Sequence, residues 1–121
     1  SDKVREAAER EVFDSLDAIA KRRGVRVTTT RIHGVNATPC SPRLQEALAC
    51  AVTAVGAPVQ RLPSGAGHDA MVIGRVTEAG MLFVRCGAGG VSHNPAETVT
   101  ESDAGLAAGA LLSFLREFRP V

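Results

Sequence analysis

Apolar residues recur at steps of three and four along the first part of the chain: Val4, Ala8, Val12, Leu16, Ile19 and Ala20. The stretch that holds them, residues 3–23, contains no Gly or Pro. That spacing draws one apolar stripe and predicts an amphipathic helix. Glu6/Arg10 and Asp17/Lys21 are acid-before-base pairs at i,i+4, each worth about 0.2–0.5 kcal/mol when formed. Lys21, Arg22 and Arg23 crowd the end, where the helix dipole favours cations, and Gly24 supplies the stop. A cluster of this kind also binds phosphate, but its place at a helix C-terminus favours capping.

The pattern then changes. Val25 to Ile32 is rich in β-branched residues and reads as a strand. Residues 33–40 mix Gly, Asn, Thr and Pro and mark a boundary between two differently patterned regions. His33, at the end of that strand, has no partner motif and reads as structural or solvated. Ser41-Pro42 is a helix start, a serine N-cap with proline at the first helical position. Leu44, Leu48, Val52 and Val55 form its expected buried face, and Gly56 and Pro58 end it.

Val59 to Leu62 reads as a short strand, and Asp69 to Val76 as a helix burying Met71, Val72 and Val76. Gly80 to Cys86 reads as a second buried strand. Strand, helix and strand in this order form a βαβ unit with parallel strands and a right-handed crossover. The last helix opens at Thr100, with Asp103 approximating a capping box. Leu106, Ala110, Leu111, Phe114, Leu115 and Phe118 make a face broad enough to pack on a sheet, and Pro120 stops the helix. The fold class implied is α/β, with no internal repeat.

Composition narrows the function. The chain has 121 residues, enough for one domain at most, with 45% hydrophobic and 22% charged residues. Its net charge of +1 creates no overall field for nucleic acid or an anionic membrane. Four Phe, with no Trp or Tyr, argue against a base-stacking platform. No apolar run approaches the roughly 18 residues a bilayer span needs, and Ser1-Asp2-Lys3 does not read as a signal peptide. Cys40, Cys50 and Cys86 lack the spacing of a disulfide framework or a zinc ribbon. They read as buried thiols of a reducing, cytoplasmic compartment.

Packing does not explain two loops. Ser64-Gly65-Ala66-Gly67-His68-Asp69 and Ser92-His93-Asn94-Pro95-Ala96-Glu97 both follow expected strands, where open α/β sheets bind ligands. Gly65 and Gly67 permit close approach of a ligand to bare backbone. His68 can donate to an anion or polarise a carbonyl, and Asp69 can fix its tautomer or cap a helix. His93 follows the glycine-rich run 87–90, and neutral imidazole is the commonest metal ligand. Glu97 is placed to orient it from behind. The plainer reading of each histidine is a solvated turn residue. A complete zinc site needs at least three protein ligands, and the chain offers one convincing candidate.

LPSGAGHDAM (62–71), GMLFVRC (80–86) and GGVSHNPAE (89–97) resemble the C-terminal region of the amidase, hydantoinase/carbamoylase group. Its members are N-carbamoyl-L-amino-acid hydrolases, allantoate amidohydrolases and β-ureidopropionases, dinuclear-metal relatives of aminoacylases and di-zinc exopeptidases. The resemblance covers most of the chain and is most specific from Ser41 to Phe118. It implies that His93 is a metal ligand and that Gly67 and His68 contact substrate. It implies two divalent metal ions, zinc or else manganese or cobalt, in the whole enzyme. Residues 1–35 would be the helix and strand that end an α+β lid and dimerisation domain, and residues 36–121 the C-terminal part of the catalytic domain.

The resemblance also implies what this chain lacks. The remaining metal ligands and the catalytic glutamate belong to an upstream catalytic segment, so no catalytic residue falls in this segment. The chain would be a C-terminal portion, inactive alone, of a homodimeric cytoplasmic enzyme acting on a small carbamoyl or ureido acid. A part of this kind should expose apolar faces. Two further readings are a non-catalytic assembly or dimerisation module that retains the loops, and a small-anion-binding domain using residues 64–69.

Overall fold

A computed structural model describes residues 1–120. The chain divides into two compact units, Ser1–Ala37 and a second from Thr38 onward. The first is built on α1 (Asp2–Arg23), which Ser1 opens by accepting the Val4 amide. Gly24 closes it in the left-handed conformation, φ 65°, a backbone that suits glycine because it has no Cβ. The Gly24 and Val25 amides turn back onto the carbonyls of Lys21 and Ala20, satisfying groups that a helix end leaves unpaired.

Residues 25–37 run back along α1. Arg31 pairs with Glu9, Arg5 donates to the Val35 carbonyl, and the Ala37 amide donates to Asp2 Oδ1 at 3.0 Å. The partners 31, 35 and 37 meet 9, 5 and 2, so the segment is antiparallel to the helix. The ion pairs α1 makes are Asp2–Arg5 and Glu9–Arg31, in place of the two expected i,i+4 pairs. The helix forms as its periodicity predicts, but most of its apolar stripe stays open: Val4 and Val12 are exposed and only Ala20 is buried.

The second unit is organised by α2 (Pro42–Ala54) and α4 (Glu101–Glu117), which pack on one another. Ser41 caps α2 by accepting the Leu44 amide, with Pro42 in the first turn as expected. Gly56, at φ 76°, ends it with the same pair of returning amide bonds that closes α1. Thr100 caps α4 in a reciprocal arrangement: its Oγ1 accepts the Asp103 amide at 3.1 Å and donates to Asp103 Oδ2 at 2.7 Å. Between the helices the contact is made by small side chains. Ala51 and Ala110 are buried and Gly109 faces Val55, which lets the two backbones approach closely.

Leu48 and Ala79 complete this core. The segment after Ala79 lies so close to α2 that a side chain on Gly80 would meet Leu44 Cβ at 3.1 Å and Leu48 Cδ1 at 3.3 Å. The Ser41 amide donates to the Ala79 carbonyl at 2.8 Å, fastening the start of α2 to the same place. Leu44, Val52 and Val55 are half-buried, short of the full burial expected of them.

Three expectations are corrected here. Among the described residues, segments 25–32, 59–62 and 80–86 carry no strand pairing, so the α/β layering and its βαβ unit are not formed. A strand is stabilised by a neighbouring strand's amides and carbonyls, and among the described residues no second strand pairs with these segments. The expected helix over 69–76 shortens to one turn, α3 (Ala70–Ile73), continued by looser turns to Thr77. The turn ends at Gly74, which passes so close to Thr38 that a Cβ there would sit 2.6 Å from Thr38 Cγ2. Val72 and Val76 are consequently exposed and only Met71 is partly covered. The thiols are free, but Cys50 is exposed and Cys40 and Cys86 are only half-buried, contrary to the expectation of core cysteines. Large apolar side chains stay in the open elsewhere too, among them Phe83, Val84, Leu111, Leu112 and Leu115.

Leu48→Ala is expected to lower unfolding free energy by about 2–4 kcal/mol, since it empties the one large buried position of the core. A denaturant titration showing almost no loss would contradict this packing. Acid should act through two carboxyls held below their ordinary values. Glu78 is lowered by hydrogen bonds from Arg43 and Ser41, and Asp103 by those from Thr100 and Arg85. Their folded values lie below the unfolded ones, so their contribution is complete above about pH 4.3 and lost as pH falls through the depressed values. Glu78→Gln and Asp103→Asn should each flatten the fall of the unfolding midpoint below about pH 4.

Candidate functional site

Charged side chains flanking the two suspect loops reach back to the helices. Ahead of the first loop, Arg61 reaches back to α2, donating to Gln45 Oε1 at 3.2 Å and Glu46 Oε2 at 2.6 Å. Behind it, Glu78 takes the Ser41 hydroxyl and the Arg43 guanidinium at the start of α2. Arg43 also lies over the Phe118 ring, 5.5 Å from its centroid, and so joins the end of α4 to the same anchor. Ahead of the second loop, Arg85 Nε donates to Asp103 Oδ1 in the first turn of α4 at 2.6 Å. None of Arg43, Arg61, Glu78 and Arg85 is conspicuous in the sequence. The available signal is a lone charge in an apolar stretch, as Arg85 is in Gly80–Cys86.

In the first loop Ser64 Oγ donates to the Ala66 carbonyl at 3.2 Å. Gly65 has open space where a side chain would stand, and Gly67 has only the Met71 sulfur, 3.9 Å away. The backbone there is bare, as a ligand-facing turn requires. His68 Nδ1 accepts the Ala70 amide at 3.1 Å, and its carbonyl accepts the Met71 amide at 2.9 Å. The imidazole is thereby held with Nδ1 as acceptor, leaving Nε2–H as the outward donor of the neutral ring. Asp69 neither caps α3 with its side chain nor bonds His68; its carbonyl accepts the Val72 and Ile73 amides instead.

The second loop closes on itself. The Gly87 amide donates to the Thr98 carbonyl at 2.8 Å, and a side chain on Gly87 would collide with Thr98 Oγ1 at 2.5 Å. Ala88, Gly89 and Gly90 all take positive φ, turning the chain sharply before His93. Asn94-Pro95-Ala96-Glu97 then forms a β-turn. The Glu97 amide donates to the Asn94 carbonyl and the Ala96 amide to Asn94 Oδ1, both at 2.9 Å. The turn brings the Glu97 carboxylate back, where Oε2 accepts the His93 amide at 2.9 Å. His93 itself sits at φ 57°, a backbone state that costs a non-glycine residue about 1–3 kcal/mol. Its ring nitrogens make no hydrogen bond among the described residues.

As a metal ligand His93 is chemically suitable: exposed, pinned by its main chain and free at both ring nitrogens. It stands as one donor. No three His, Cys, Asp or Glu side chains among the described residues come together to hold an ion. A groove of about 240 Å³ between α2 and α4, lined in part by Cys50, Phe114 and Phe118, touches neither loop. Among the described residues no helix is long and apolar enough to cross a membrane.

With two glycine-rich histidine loops mounted on a helical pair, the chain belongs to the peptidase family M20/M25/M40, matching it over residues 4–117. It is 45% identical over 94 residues to a probable allantoate deiminase of Oryza sativa subsp. japonica, covering 69% of this chain and 19% of that protein. It is 42% identical over 105 residues to an allantoate deiminase of Arabidopsis thaliana, covering 80% and 20% respectively. An N-carbamoyl-L-amino acid amidohydrolase of Geobacillus stearothermophilus is 37% identical over 108 residues, covering 89% of this chain and 26% of that protein. The chain spans about a fifth to a quarter of the length of these relatives. No solved structure matches it.

The His68 geometry has a direct spectroscopic consequence. In the neutral ring, ¹⁵N shifts should report the Nε2-protonated tautomer, because Nδ1 is occupied as an acceptor. A dominant Nδ1-protonated form would show that the Ala70 contact is absent.

Proposed function

We propose that this chain is the C-terminal segment of a metal-dependent amidohydrolase that cleaves the carbamoyl or ureido C–N bond of N-carbamoyl amino acids, allantoate or similar small acids. The observation that carries the reading is His93: a left-handed residue, tied by its amide to Glu97, with its imidazole unengaged. Fixing the backbone while freeing the ring suits a ligand better than a turn residue, which gains nothing from the strain. The relatives' names supply the substrate class.

Two divalent ions, zinc or else manganese or cobalt, would serve the whole enzyme, and at most one ligand is supplied here. When bound, such ions supply Lewis acidity and an activated water. The work of this chain is to hold and orient. His93 offers one nitrogen donor. The bare backbone at Gly67 and the outward Nε2–H of His68 offer hydrogen-bond donors to a substrate carboxylate or carbonyl oxygen. Glu97 supports the second loop from behind through the His93 amide, and Asp69 supports the first through its main-chain carbonyl, which accepts the Val72 and Ile73 amides. The remaining ligands and the proton-transferring carboxylate would come from chain outside this segment, so the segment alone would be inactive.

The same reading accounts for the open surfaces. Segments 25–32, 59–62 and 80–86 would complete their hydrogen bonding as strands of an α/β domain when the rest of that domain is beside them. Val59, Leu62, Phe83 and Val84 would then be covered. Residues 1–35 would belong to a lid and dimerisation domain of a cytoplasmic homodimer. A second reading, a non-catalytic assembly module, draws on the same open faces and on the absence of a full ligand set among the described residues.

His93→Ala in the native protein that carries this chain separates the two. The hydrolase reading expects loss of bound metal and a fall of at least about 100-fold in hydrolysis of N-carbamoyl amino acids or allantoate. Unchanged metal content and unchanged turnover would overturn it and favour the module.

A further inference from the structure

We infer that Glu97 is a positioning residue for His93 that acts through the main chain and not through the imidazole. The inference rests on the reading of His93 as a metal ligand and adds how that ligand is held. Three observations carry it. Glu97 Oε2 accepts the His93 amide at 2.9 Å, so the carboxylate is spent on backbone. His93 is at φ 57°, a conformation that needs a specific restraint to persist in a residue with a Cβ. The intervening Asn94–Glu97 turn is itself doubly bonded, through the Asn94 carbonyl and Oδ1, which fixes where the carboxylate returns.

The consequence for the ligand is specific. A carboxylate that oriented the ring would occupy one of its nitrogens and bias which one is left for a metal. Here the restraint is placed on the backbone, and both nitrogens remain available. The Gly87–Thr98 bond holds the two ends of the loop together, so the restraint at His93 is set against a closed frame and not a free chain. What the His93 amide requires of residue 97 is only an acceptor oxygen aimed at its N–H. Glutamine provides that without the charge.

The test uses the native protein that carries this chain, with zinc affinity and hydrogen–deuterium exchange of the 91–98 region as readouts. Glu97→Ala should weaken zinc binding about 10–100-fold and speed exchange at the His93 amide. Glu97→Gln should stay near the unaltered protein in both. His93→Ala/Glu97→Ala should bind zinc no more weakly than His93→Ala alone, because the two residues act as one unit. Independent, additive losses would overturn the inference, as would a glutamine variant as weak as the alanine one. Unchanged exchange at the His93 amide in Glu97→Ala would overturn the backbone restraint whatever His93 does. Full zinc affinity in His93→Ala with the exchange effect intact would instead remove the metal-ligand premise.

Discussion

The second unit depends on one close contact, α2 against α4 through Ala51, Ala110 and Gly109. Small residues at a helix crossing bring backbones together, and here that proximity turns two short helices into a mounting plate. Each loop of interest is then tied to the plate by a long charged side chain. Arg61 and Glu78 tie the first to α2, and Arg85 ties the second to α4. Such exposed pairs are individually weak. Their effect is geometric: they set where an otherwise unpaired segment enters and leaves its loop.

The features legible in the sequence are those decided within a few residues. Ser41 and Thr100 open helices, and Gly24 and Gly56 end two of them, because capping is a local exchange of hydrogen bonds. The segments read as strands behave otherwise. Val25–Ile32 has the composition of a strand and none of its pairing, since a ladder is a property of two chains and not of one. The close approach of Gly74, at the end of α3, to Thr38 was equally hidden, because the two are far apart in sequence.

Of the candidate site, the loops themselves were legible from their glycines and histidines, while the internal wiring was not. Asp69 reads as a helix cap and does not cap with its side chain. Glu97 reads as a support for the imidazole and holds an amide instead. The second had a usable signal: Asn94-Pro95 is a strong β-turn opening, and a turn there returns Glu97 to the residue just before it. The charged anchors had only the signal of a lone charge in an apolar stretch, as at Arg85, because their partners lie on other elements.

His93 is proposed to donate one nitrogen to a metal ion whose other ligands lie outside this segment. Anomalous scattering at the metal edge from crystals of the metal-loaded native protein reads this directly. The expected result is a peak about 2.0–2.1 Å from an imidazole nitrogen of His93, with the remaining ligands supplied by residues outside 1–121. A metal centre fully ligated elsewhere, with the His93 ring in solvent, would contradict it.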